Sequence, residues 1–257
     1  MSGAPSLAGV LGLKRDEAVA LVGGGGKSAA MFRLAREVAE GGGRAVTTTT
    51  THIFASQIAL APAHLLDAET TRDGLLAALE RIRHVLVIGP TNPETRRAAG
   101  ISRERFRELR GWCPDACLLT EADGSRMLPF KAPAAHEPVI PEETTLALLV
   151  VGADVLGRPL DDAHVHRPER ASALSGVPMG APVTPEMVAR VLAHPDGGRK
   201  GVPGAARVVI LINKVETLAD RGPARETAAL LLREPAIEAV LLTALKQPDP
   251  VLEVCAR

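Results

Sequence analysis

Ala20-Leu21-Val22-Gly23-Gly24-Gly25-Gly26-Lys27-Ser28 joins a short apolar strand to four glycines, a lysine, a hydroxyl residue and the start of a helix. Residues without a Cβ let successive backbone N–H groups curl around an anion, and the N-terminus of the following helix attracts the same charge. The stretch therefore reads as a phosphate-binding loop. Gly23, Gly24, Gly25 and Gly26 would line it, Lys27 would reach the β and γ phosphates, and Ser28 would offer a hydroxyl to a nucleotide's magnesium ion. Residues 29–40 carry Met31, Leu34, Ala35 and Val38 at helical spacing, so the helix that such a loop requires follows it. The alternative is a glycine-rich turn with an incidental lysine.

The pattern G-x-x-x-x-G-K-[ST] needs a glycine where this chain has Leu21. The loop also resembles the shortened G-G-x-G-K-[ST] loop of the deviant P-loop ATPases, but their signature lysine falls on Val22. Neither pattern is matched throughout.

Apolar runs recur at 17–22, 44–49, 84–89, 116–121, 145–151, 206–212 and 237–243, and helical patterns sit between them at 28–40, 71–83, 102–110, 184–194 and 222–233. This alternation predicts an α/β fold: a doubly wound, mostly parallel sheet in a three-layer αβα, P-loop NTPase-like domain spanning 1–257. Segments 124–141 and 152–183 are too long for simple connections and follow strand ends, so they are expected to be functional loops.

The composition narrows the partners. Of 257 residues, 46% are hydrophobic but only 2% aromatic, with no tyrosine, which argues against stacking on single-stranded nucleic acid. Thirty basic and thirty acidic residues cancel, so no net field draws the chain to nucleic acid or to an anionic membrane. Arg96, Arg97, Arg103, Arg105, Arg107 and Arg110 cluster between 94 and 110 on what reads as a helix capped by Ser102. A solvated, internally ion-paired face is the first reading and an anion-docking surface the second. Three cysteines, Cys113, Cys117 and Cys255, make no disulfide framework. With no basic leader and no run near the roughly 20 apolar residues of a membrane helix, a cytoplasmic location is expected.

Three further constellations carry chemistry. A P-loop enzyme needs an acid at the end of a second buried strand, and Glu121 and Asp123 share one face there, followed by Gly124. The spacing Glu121-x-x-Gly124 resembles the E-x-x-G element of the maturation GTPases for nickel and cobalamin enzymes; solvated strand-end acids are the alternative. Asn213-Lys214-Val215-Glu216 looks like the N-K-x-D guanine motif with a longer acid, and Leu242-Thr243-Ala244-Leu245-Lys246 looks like the weak fifth GTPase element. In the run Thr47 to Thr51, Thr49 and Thr50 are candidates for a γ-phosphate contact, or simply strand. His136, and His166 with Arg167 in His164-Val165-His166-Arg167, are candidates for contacts to a bound anion, and no strong zinc spacing is present.

The order and spacing of GGGGKS, TTTTTHI, EADGS running into KAPAAHEPVIP, VGADVLGRPL, VHRPE and INKVE resemble the YqeC family, over most of the chain from Ala18 to Glu216. That resemblance implies an accessory factor for selenium-dependent molybdenum hydroxylases, implicated in selenium cofactor biosynthesis. It also implies Mg2+ and a nucleotide triphosphate, GTP or ATP, with Lys27 and Ser28 at the phosphates and Glu121 and Asp123 at the magnesium. The partner would be a molybdenum hydroxylase apoprotein or a molybdopterin or selenium carrier. Placing the His136 and His166 loops near the γ-phosphate or a second substrate is an inference from their position. Cys113 and Cys117 are read as buried structural cysteines rather than carriers of selenide. Two functions compete: an NTP-hydrolysing maturation factor, with a small-molecule kinase as its variant, and a nucleotide-gated chaperone or scaffold with negligible hydrolysis.

Overall fold

The computed structural model describes residues 6–257. Nine strands form one sheet: β1 (Ala18–Gly23), β2 (Arg44–Thr49), β3 (His64–Leu66), β4 (His84–Ile88), β5 (Ala116–Glu121), β6 (Leu146–Gly152), β7 (Arg207–Asn213), β8 (Ala239–Thr243) and β9 (Val251–Ala256). Their spatial order is β9-β8-β7-β6-β1-β5-β2-β4-β3, parallel throughout except for the β8–β9 pair. The predicted α/β class, with its mostly parallel sheet, is the one observed.

Alternation along β1 sends side chains to two different layers. Val19 and Leu21, with Leu148, Val150 and Leu211, pack against Met31 and Leu34 of α1 (Lys27–Glu40). On the other side, Ala20, Val22, Leu149, Val151 and Ile210 meet α4 (Pro168–Ser175), α5 (Pro185–Ala193) and α6 (Gly222–Leu231). The same side continues through Ala18, Val46, Val85 and Leu118 to α2 (Arg72–Ile82) and α3 (Arg103–Trp112). Both faces are thus covered, which is why β1, β5, β6 and β7 read as nearly unbroken aliphatic runs. Fully burying Met31 and Leu34, both 0% exposed, contributes roughly 1.5–3 kcal/mol each.

Strands β2 to β5, drawn from residues before 122, lie on one side of β1; strands β6 to β9 lie on the other. The chain therefore reverses its direction of winding beside β1, and the carboxyl ends of β1, β5 and β6 frame the crevice where open parallel sheets bind ligands.

Several expectations are corrected. Strands β3 and β9 were not predicted; β3 is only three residues long, and β9 pairs antiparallel along the sheet's far edge with partly exposed residues. Segment 152–183 is not an irregular loop. It contains α4 and the strand Val165–His166, which pairs in parallel with Phe130–Lys131 from the other long segment. The arginine-rich stretch splits: Arg97–Ala99 joins a small antiparallel sheet with His52–Phe54 and Thr91–Asn92, and Ser102 caps α3 by accepting from the Arg105 N–H at 3.1 Å. Arg105 pairs with Asp67 and Glu108, and Arg107 with Glu142 and Glu143, so this face is internally compensated.

Candidate functional site

The turn from β1 to α1 can be made only by glycine. Gly23, Gly25 and Gly26 have φ of 99°, 76° and 145°, and a Cβ on Gly25 would lie 2.2 Å from the Gly152 backbone nitrogen. Gly26 caps α1 without a side-chain partner, and among the described residues the N–H groups of Gly26, Lys27, Ser28 and Ala29 meet no protein acceptor. Four unsatisfied amides at the positive end of a fourteen-residue helix make an anion site. The preceding amides are engaged within the protein: Gly24 donates to the Val150 carbonyl at 2.8 Å, Gly25 to the Leu128 carbonyl at 3.1 Å, and Gly23 to the Asp123 carboxylate at 3.1 Å.

Behind these amides lies a chain of alternating charges. Lys27 Nζ donates to the Gly23 carbonyl at 2.7 Å and stands 3.3 Å from Asp123 Oδ1 and 3.5 Å from Glu121 Oε1. Burial alone would lower this ammonium's pKa, but the two carboxylates outweigh it and raise it above its ordinary value. Ser28 Oγ donates to Glu121 Oε2 at 2.7 Å. Asp123, only 2% exposed, also faces Lys131 Nζ at 3.0 Å. Lys131 in turn donates to Glu137 Oε1 and to the Gly124 carbonyl, both at 2.6 Å, and Arg167 completes the series on Glu137. Burial pushes the Glu137 carboxyl up, yet Lys131 and Arg167 hold it below the usual carboxylate range. A cavity of about 10 Å³, room for one water, touches Gly23, Asp123 and Lys131.

Ser28 and Glu121 present a hydroxyl and a carboxylate beside free helix amides, the hard oxygen donors that Mg2+ takes from protein when phosphates and water supply the remainder. Among the described residues no group of three or more His, Cys, Asp or Glu gathers to hold a metal unaided.

The other end of the crevice is built by β7 and β8. Asn213 Nδ2 donates to the Gly25 carbonyl at 2.7 Å and its Oδ1 accepts from the Leu245 N–H at 3.0 Å. One side chain thus clamps the glycine loop to the turn after β8. Lys214, with φ 63°, reaches Asp154 Oδ2 at 2.6 Å, and the second Asp154 oxygen is buried with no hydrogen-bond partner. Asp154, Gly157, Arg158 and Thr217 line an open cleft of about 350 Å³ beside this pair. Glu216 is exposed and makes no hydrogen bond among the described residues.

The remaining candidates divide. Thr49 is the register partner of Glu121 and donates to its carbonyl at 2.7 Å, whereas the Thr50 hydroxyl goes to the Val139 carbonyl at 2.7 Å. The first ties the ends of β2 and β5, and the second ties the chain after β2 to the loop before β6. His166 is the register partner of Lys131, which brings its strand to the ionic chain; His136 is exposed, outside the chain's contacts. Burial, then the cations of Arg167, Lys131 and Arg126, pushes His166 down to about 4, so its imidazole is neutral at pH 7. Burial drives the Cys113 thiol to about 11 and Cys117 to about 12, which removes the thiolate that selenide or persulfide transfer needs.

Lys131, Glu137 and Asp154 were not singled out from the sequence. The signal for Lys131 was its setting, a lone lysine between Phe130 and Ala132 in an otherwise apolar stretch, which only a buried partner makes tolerable.

Comparison with known proteins agrees with the family resemblance. A protein of Escherichia coli (strain K12) described as "Uncharacterized protein YqeC" is 28% identical over 208 residues, 78% of this chain and 77% of its own length. Among solved structures, chloroplast FtsY from Physcomitrella patens is 12% identical with a TM-score of 0.44, covering 96% of this chain and 64% of that one. The signal recognition particle receptor FtsY from Elizabethkingia anophelis is 13% identical with a TM-score of 0.38, covering 91% and 61%. This chain spans less than two thirds of either FtsY structure. The model of the family described as "YqeC protein" matches residues 19–169, from β1 through the start of α4, and the chain belongs to the YqeC family.

Proposed function

We propose that this chain binds a magnesium nucleoside triphosphate between its glycine loop and the β7–β8 end, and that it hydrolyses the nucleotide as an accessory factor in maturing a client. The observation that carries this reading is the 2.7 Å contact of Ser28 Oγ with Glu121 Oε2 beside four unsatisfied helix amides. The Asn213 clamp on Gly25 supports a single ligand engaging both ends.

In this reading the amides of Gly26 to Ala29 and the Lys27 ammonium hold the phosphate oxygens and spread the charge that develops on them. Ser28 and Glu121 would hold the magnesium, which supplies charge neutralisation across the phosphates. Asp123 orients a water. A bond forms from the water oxygen to the γ-phosphorus as the bond to the β,γ-bridging oxygen breaks, releasing nucleoside diphosphate, inorganic phosphate and a proton. Asn213 and Lys214 would meet the base and ribose, with Glu216 reading a purine's hydrogens. The client class comes from the family resemblance: a selenium-dependent molybdenum hydroxylase or a carrier of its cofactor.

The test is calorimetry of ATP, GTP and CTP with and without Mg2+ on wild type and Lys27→Ala. Micromolar, magnesium-dependent binding of a purine nucleotide, weakened at least about 100-fold in the variant, is expected. Absence of binding to any of the three sinks the reading.

A further inference from the structure

Within the alternating chain, the two lysines that share Asp123 are held differently. Lys27 has one short bond, to the Gly23 carbonyl, and its two carboxylate distances are 3.3 and 3.5 Å. Lys131 has three acceptors at 3.0, 2.6 and 2.6 Å, and an ammonium has three N–H groups to give. Its side chain is 1% exposed and its strand is pinned in register beside Val165–His166. Glu137 is fixed in turn by Arg167 and by the Ala134 N–H at 3.3 Å. Lys27 is therefore the partner free to leave Asp123, and Lys131 is the one that stays.

This matters when phosphate arrives. Lys27 turning toward phosphate oxygens withdraws a positive charge from a carboxylate that is 2% exposed. A buried carboxylate with no counter-charge moves toward water or another cation. We propose that Lys131 is a positioning residue that holds the Asp123 carboxylate in place, so that Asp123 can orient the attacking water once Lys27 has gone to the nucleotide. The inference rests on the hydrolytic reading above. It goes beyond that reading in assigning a role to a lysine that touches neither the glycine loop's free amides nor Glu121.

The experiment uses the full chain. Phosphate release at saturating MgGTP and MgATP is measured alongside nucleotide Kd for wild type, Lys131→Met, Lys131→Arg, Asp123→Asn and the double variant Asp123→Asn/Lys131→Met. The expected result is that Lys131→Met lowers kcat about 100-fold with Kd changed less than about threefold, and that Lys131→Arg recovers most of the rate. In the Asp123→Asn background the second substitution should cost nothing further, because both act through one carboxylate. Should Lys131→Met fail to fold, the double variant against Asp123→Asn alone decides, since that pair leaves no unpaired charge on Asp123. Unchanged kcat in Lys131→Met, or a full additional loss in the double variant, overturns the inference. Wild type that binds nucleotide without releasing phosphate overturns it too and leaves the binding site standing, whereas wild type that binds no nucleotide removes the broader reading first.

Discussion

The two ends of the crevice are made of similar residue types held in opposite ways. At the end beside the glycine loop, the phosphate end of the proposed function, Lys27, Asp123 and Lys131 are at most 3% exposed and every charge has a charged neighbour. At the β7–β8 end, the base end of the proposed function, the Lys214–Asp154 pair is a third exposed, one carboxylate oxygen has no partner, and Glu216 makes no hydrogen bond among the described residues. Breaking a buried pair costs about 3–5 kcal/mol because the orphaned charge remains, while an exposed pair is worth roughly 0–1 kcal/mol. The phosphate end therefore tolerates little change and, under the proposed function, sets whether the chain binds at all. The base end has slack, and under the proposed function slack is where nucleotide preference would be adjusted without unfolding the protein.

The most severe way to break this contrast is through the backbone. Gly25→Ala places a Cβ 2.2 Å from the Gly152 nitrogen and 2.5 Å from its Cα at a φ of 76°, and neither backbone atom can move without parting β1 from β6. A loss of about 3 kcal/mol or more in urea unfolding is expected. Gly124→Ala is the control: it lies in the same region, yet nothing stands within 4 Å of its added carbon, so its stability should stay within about 0.5 kcal/mol of wild type. Equal losses in the two variants would deny that the loop's close approach to β6 matters.

A second effect, smaller, separates the ends by pH. His166 sits beside the phosphate end's cations with its pKa pushed down to about 4, below the unfolded value of 6.5. A lowered histidine pKa means that the unfolded chain binds the proton more readily, so this stabilisation is complete above pH 6.5 and is lost as pH falls toward 4. The share attributable to His166 is about 2 kcal/mol between pH 8 and pH 5. His84, in the sheet beneath α1 and also lowered to about 4 by burial, adds a similar slope of its own. Melting curves of His166→Gln should flatten by its share alone; an unchanged slope would show that the imidazole is not excluded from charging by that end.

The contrast also explains what could be read from the sequence. Buried parallel strands announce themselves because both faces are apolar, and all seven predicted runs became strands within two residues of their expected ends. Strand β3 escaped because three residues, HLL, carry too little pattern, and β9 because an edge strand with one open side resembles a polar tail. The loop with Ser28, and Glu121 in its run to Gly124, stood out as candidates because each is a short, chemically constrained motif. Lys131 and Glu137 did not, because they meet each other and Asp123 only through the irregular path of the chain between 123 and 137, and Asp154 did not, because its partner Lys214 lies 60 residues away. Arg167 was visible as a loop cation, but its service to Glu137 was not.

The smallest effect is the most informative about the base end. Glu216 carries one methylene more than the aspartate of the guanine motif, and it is exposed on a single turn, residues 215–217, where its side chain makes no hydrogen bond among the described residues. Glu216→Asp should leave the melting temperature unchanged, since no contact is lost. If the acid meets guanine N1 and N2 through a flexible arm, shortening that arm reduces the rotamer freedom frozen on binding and tightens GTP by about fivefold, close to 1 kcal/mol, with ATP unaffected. A weaker GTP affinity would mean that the longer arm is fitted to the base and that this end is as specialised as the other. No change for either nucleotide would remove Glu216 from the base site, leaving Asp154, with its unpartnered buried oxygen next to Lys214, as the acid there to examine.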